Sequence, residues 1–69
     1  MNVSARNLLK GRVSQIVLGA VNVEVTLEIA PGLEVTSVIT KASAERLGLE
    51  VGKEAYAVIK SSDVMIAVD

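Results

Sequence analysis

Residues 3 to 12 read VSARNLLKGR, a run of hydrogen-bond donors with no acid among them. Ser4, Arg6, Asn7, Lys10 and Arg12 sit together here, and no Lys or Arg follows from 13 to 40. A second donor group is Lys60 with Ser61 and Ser62, and a third is Thr40 and Ser43 flanking Lys41. Hydroxyls, a guanidinium, an ammonium and backbone N–H groups at strand ends are what a negative ion needs. A serine at a helix start adds N–H groups already aimed outward. Each residue also has a plain structural reading. Ser43 can cap a helix, Ser61 and Ser62 can be turn residues, Lys60 can blunt a sheet edge, and Arg6 can simply face water.

The elements that must position these groups are legible from periodicity. VNVEVTLEI, 21 to 29, alternates apolar and polar residues without fault, the pattern of a strand with one buried face. KGRVSQIVL before it reads as a strand with Gly11 as a bulge or bend, and Gly19-Ala20 makes a tight link between the two. APG at 30 to 32 is a turn, and LEVTSVIT, 33 to 40, is a third strand. SAERLGL then changes the period. Ser43 is the expected N-cap, Glu45 lies in the first turn and Gly48 is the stop. Leu47 and Leu49 are expected to plug one end of the sheet. A turn around Gly52, a strand at 55 to 60, a break at Ser61-Ser62-Asp63 and a strand at 64 to 68 complete the chain. The expected fold is all-β, a single domain over 1–69: a five-stranded OB-like barrel with one short helix between strands 3 and 4. An SH3-like barrel is the alternative.

Composition limits the chemistry. Apolar residues make up 51% of the chain and aromatics 1%, so the core is built from Val, Ile, Leu and Ala. A domain this small buries a limited core, and without cysteine no disulfide can brace it. Oligomerisation is the expected source of extra stability, and the apolar content exceeds what one small barrel hides. With neither His nor Cys there is no conventional nucleophile–base pair and no zinc site of the usual kind. Glu24 and Glu28 on one strand face read as solvated, not as a glycosidase pair. GKEAYA at 52 to 57 is not a Walker loop. An enzyme is not expected. Single-stranded nucleic acid would need stacked aromatics on a basic groove, whereas Tyr56 is the only aromatic and the net charge is −1. No apolar run approaches the ~20 residues of a membrane span. The first residues also lack the layout of a signal peptide. The expectation is a cytoplasmic protein with no nucleic-acid or membrane partner.

SARNLLKG at 4 to 11, VTSVIT at 35 to 40 and LGLEVGKEAYAVIKSSDVMIAV at 47 to 68 together resemble the molbindins, the small molybdate- and tungstate-binding Mop proteins. The resemblance covers essentially the whole chain, and SARN paired with VIKSSDVM is its distinctive part. It implies an OB-like domain assembled as a homohexamer, a trimer of dimers, with oxyanions held between subunits. The main site would take Ser4 and Arg6 from one segment and Lys60 and Ser61 from another, supplied by a neighbouring subunit. Thr40 and Ser43 match positions that also line anion sites, and backbone N–H groups near Ala20 contribute. Leu8 stands where relatives often have Gln, and Pro31 where many have Gly. No cofactor is implied; the ligand is molybdate or tungstate, and the metal arrives as its oxyanion.

Molybdate and tungstate are unprotonated dianions at neutral pH, so a donor-only pocket suits them. Hydrogenphosphate would want an acceptor for its proton. Sulfate lacks a proton as well, so pocket size must exclude it. Asp63, the one acid nearby in sequence, is expected to turn away. Lys10 and Arg12 are expected to face solvent from a strand, and Asn7 is open between ligand and turn-former. The function expected is binding and storage of the oxyanion. The alternative is an oligomerising, ligand-sensing or protein-interaction module without a storage role, although the sequence shows no DNA-binding segment of a regulator.

Overall fold

The computed structural model describes all residues, Met1–Asp69. Four strands form one antiparallel sheet: β1 (Asn7–Leu18), β2 (Asn22–Ala30), β3 (Leu33–Thr40) and β4 (Glu54–Ile59), in the spatial order β3-β2-β1-β4. A helix α1 (Lys41–Leu47) joins β3 to β4, and a 3-10 turn (Ser61–Asp63) follows β4.

β1 is long because it serves two partners in succession. Asn7 to Arg12 pair with β4, and Arg12 to Leu18 pair with β2. Gly11 stands where the strand changes partner. A β-carbon there would lie 2.7 Å from the Glu28 carbonyl oxygen and 2.8 Å from the tip of Ile29, so only glycine admits so close a crossing. Gly11 therefore marks the bend. The bulge lies beyond it, where Ser14 is the extra residue between the Val13–Leu27 and Gln15–Thr26 pairs. The β1–β2 link is closed by the Gly19 N–H donating to the Asn22 carbonyl at 2.9 Å. Pro31-Gly32 makes the β2–β3 turn, with Gly32 at φ 80°, the position that a type II turn reserves for glycine.

The alternation of β2 is what builds the core. Val23, Val25 and Leu27 are buried with Val13 of β1, and Ile16, Ile29, Ile39, Ala44, Leu49, Ala55 and Ala57 pack around them. Only Thr26 joins them among polar residues; in all, five of 69 residues are buried. That core is small enough to leave a single copy marginal. Leu49 packs on it as expected, whereas Leu47 is 55% exposed and does not.

Two expectations are corrected. The helix is capped by Thr40, not Ser43. β3 runs straight into α1, so the Thr40 hydroxyl accepts from the Ser43 N–H at 3.1 Å, and Ser43 becomes the third helical residue. Gly48 ends the helix in the left-handed conformation, at φ 63° and ψ 38°, as its type requires. The second correction is the strand count, four and not five. Residues 64 to 68 are extended but join no ladder, and β3 and β4 do not pair, so the sheet curls without closing.

Candidate oxyanion-binding site

The β1–β4 ladder decides where the donors go. Asn7 pairs with Ile59, so the residues just before β1 and just after β4 emerge side by side at one end of the sheet. The Asn7 side-chain amide donates to the Ile59 carbonyl at 3.3 Å and ties the two chain segments together. Beyond this rung lies an open pocket of about 310 Å³, lined by Ser4, Ala5, Arg6, Lys60, Ser61 and Ser62. Four of the expected site residues, Ser4, Arg6, Lys60 and Ser61, thus meet within one chain. The expectation drew the Lys60 half from a neighbouring subunit; one chain by itself already sets its Lys60 and Ser61 beside its own Ser4 and Arg6. The antiparallel register of β1 with β4 brings both halves together in cis.

No acid lines the pocket. Neither Arg6 nor Lys60 is in an ion pair; the single ion pair of the protein joins Lys10 to Glu54 at 3.4 Å. Arg12 is also committed elsewhere, its guanidinium donating to the Gly52 carbonyl at 2.8 Å. Lys10 and Arg12 are thus exposed strand residues with partners of their own, as expected. Arg6 and Lys60 are the cations left facing the pocket, and with nothing negative between them they repel each other. Asp63 is not among the lining residues. Its backbone N–H, rather than its carboxylate, closes the turn on the Lys60 carbonyl at 2.9 Å. That bond is the first of the turn. The N–H groups of Ser61 and Ser62 precede it and take no part in it.

Ser62 was not among the expected ligands, although it lines the pocket with Ser61. The signal for it was the 3-10 turn. In an extended strand consecutive side chains point to opposite faces, whereas a tight turn can present two neighbours to one side.

Thr40, Ser43 and Ala20 are not brought to this pocket. They gather at the opposite end of β1, where the 19–21 link meets the start of α1 through the Lys41 N–H and the Val21 carbonyl, 2.7 Å apart. There the Thr40 hydroxyl both accepts from the Ser43 N–H and donates to the Ser43 Oγ at 2.8 Å. Thr40 is fully used by the cap. Ser43 keeps its own hydroxyl proton.

Comparison with known proteins places these features in a context. The TOBE domain family model matches residues 3–66. Molybdenum-pterin-binding protein 1 of Clostridium pasteurianum is 53% identical over 66 residues, covering 96% of this chain and 97% of that protein. The structure of MopII from Clostridium pasteurianum superimposes with a TM-score of 0.91 at 51% identity, over 97% of this chain and 100% of that one. The cytoplasmic molybdate-binding protein ModG, solved with molybdate bound, is similar at a TM-score of 0.89 and 51% identity, over 94% of this chain and 46% of ModG.

Proposed function

We propose, from the premise that the chain belongs to the TOBE domain family, that it binds molybdate or tungstate as the intact oxyanion and holds it in store. The observation that carries this reading is the pocket of Ser4, Arg6, Lys60, Ser61 and Ser62, which has two cations without ion-pair partners and no acid. A tetrahedral dianion fills such a pocket with charge-assisted hydrogen bonds on several sides. Hydrogenphosphate finds only serine hydroxyl oxygens there for its proton, and no carboxylate, and is disfavoured. Sulfate carries no proton either, so discrimination against it rests on pocket size and not on donor chemistry. The names of the relatives support molybdate as the ligand.

The pocket is a binding site and not a catalytic one. Apart from Ala5 its side chains all carry donors, and the chain has no His or Cys to act as base or nucleophile. Five of the six lining residues are exposed and flank an open mouth, and a homohexamer would close that mouth with a second copy. The Ala20 link is the part of the family pattern that one chain keeps at the far end of β1. In an assembly it reaches the pocket from a neighbour. Ser43, with its free hydroxyl proton, is the anion donor at that far end, and Thr40 its support. No helix is long and apolar enough to cross a membrane, and a cytoplasmic site of action fits the resemblance to ModG.

Binding relieves the Arg6–Lys60 repulsion, so the ligand stabilises the folded assembly. Calorimetric titration with molybdate, tungstate, sulfate and hydrogenphosphate, beside a mass measurement of the assembly, tests the reading. Saturable heat with the first two and none with hydrogenphosphate is expected. No heat with molybdate overturns it.

A further inference from the structure

We propose that Leu8 and Val58, an apolar pair beside the oxyanion pocket, set its selectivity: they deprive the bound ion of water on one side and so favour large dianions over sulfate. The inference rests on the function proposed above and names the residues that sharpen it.

The register of β1 with β4 puts this pair in place. Leu8 and Val58 are direct partners, one rung in from the Asn7–Ile59 rung at which the pocket opens. Ala55 and Ala57 pack on the core, so Tyr56 and Val58, which alternate with them, occupy the outer face of β4. Leu8 lies across from Val58 on that face. Lys60 is still extended, at φ −63° and ψ 139°, and follows Val58 by two positions. It therefore stands on the same face, about 7 Å further along. Arg6 lines the pocket with Lys60. The cations of the pocket thus adjoin two aliphatic side chains, Leu8 at 42% and Val58 at 46% exposure, which offer water no hydrogen bond.

The rest of this face brings no acceptor closer. Beyond Leu8 and Val58 come Lys10 and Tyr56, and then Glu54, whose carboxylate is held by Lys10 at 3.4 Å. Between that ion pair and the pocket, the outer face of the two strands carries no side-chain carbonyl or carboxylate.

Ion size then acts through hydration as well as fit. Removing water from an ion costs more as the ion gets smaller, because its charge is more concentrated. Sulfate is smaller than molybdate or tungstate at the same charge, and it loses more when one side of it faces Leu8 and Val58. The donors do not make up the difference. They sit on two chain segments tied by the Asn7–Ile59 hydrogen bond, so they do not close in on a smaller ion. A glutamine at position 8 would reverse the effect. Its N–H groups would solvate the open side of the ion, and its carbonyl would accept the proton of hydrogenphosphate.

The test is competition calorimetry on the full chain, with molybdate titrated against rising sulfate at an ionic strength held constant with chloride. The variants are Leu8→Gln and Val58→Thr, the second keeping the side-chain shape and adding only a hydroxyl. Both positions are exposed and lie outside the packed core, so the fold is kept. The molybdate-to-sulfate affinity ratio is expected to fall roughly fivefold in Leu8→Gln and about twofold in Val58→Thr. Hydrogenphosphate is expected to compete in Leu8→Gln and not in the parent. Val17→Thr, at a valine exposed to a similar degree near the far end of β1, is expected to keep the parent ratio. If both variants bind molybdate more weakly at an unchanged ratio, the pair only supports the strands and the proposal is overturned. An equal fall in Val17→Thr overturns it as well. A parent chain that gives no heat with molybdate defeats the oxyanion reading and this proposal with it, whereas molybdate heat with unchanged ratios defeats this proposal alone.

Discussion

Asn7 and Ile59 face each other at the last rung of the β1–β4 ladder, and the Asn7 amide donates to the Ile59 carbonyl across 52 positions of sequence. The two halves of the oxyanion pocket diverge from this rung. Asn7 is thus the brace between the segments, neither a turn residue nor a lining residue of the pocket. Asn7→Ala removes one neutral hydrogen bond, and molybdate binding should weaken about fivefold, with a loss of stability of about 1 kcal/mol. Asn7→Asp adds a negative charge beside the pocket and should cost more than Asn7→Ala at low salt. The difference should shrink as salt rises and screens it. Calorimetry at two ionic strengths decides this; an Asp variant that binds as tightly as the Ala variant at low salt would count against the brace.

Arg6 is the pocket cation whose removal should be felt most. Saturating molybdate should raise the melting temperature of the parent protein. In Arg6→Ala most of that rise should vanish, with affinity lower by roughly tenfold to a hundredfold, the scale of a lost charge-assisted hydrogen bond. Arg6→Lys should recover part of it, because the charge returns without the planar fork. Thermal melts with and without ligand measure all three. An equal rise in the parent and in Arg6→Ala would remove Arg6 from the site.

The helix cap offers a control at the other end of β1. Thr40→Ala removes the hydroxyl that accepts from the Ser43 N–H, and stability should fall by about 1 kcal/mol. Binding at the Ser4–Lys60 pocket should be unchanged in the same variant. A denaturant melt and a titration on one sample separate the two effects.

Gly11 should tolerate no side chain. Gly11→Ala drives a methyl group against the backbone of Glu28, which cannot move aside cheaply as the end of a side chain would. The expected cost is about 1–3 kcal/mol, read as a drop in denaturation midpoint with an unchanged slope. A variant as stable as the parent would mean that β1 does not cross β2 so closely.

Much of this was readable from residue types alone. The alternation in β2 announced its buried face, Gly32 and Gly48 stood where positive φ was needed, and the donors without acids pointed to an anion. What could not be read is instructive. Ser43 is a good capping residue by type, and only the direct run of β3 into α1 shows that Thr40 takes the role first. Residues 64 to 68 have a strand's composition, but a strand needs a neighbour, and one chain does not provide it. Ser62 joined the pocket through the curvature of a turn, which periodicity does not report.

The boundary between the two kinds of information follows from the range of the forces. The sequence by itself determined the first four strands, the turns between them and the chemical character of the site, because these depend on spacing within a few residues and on which groups carry charge. Only the tertiary structure decided that Ser4 and Arg6 meet Lys60, Ser61 and Ser62 in one chain, while Lys10 and Arg12 go to other partners. That outcome depends on the register of β1 against β4 and on a glycine that lets β1 cross from one partner to the other. Register is set by packing over the whole sheet, and no local pattern contains it.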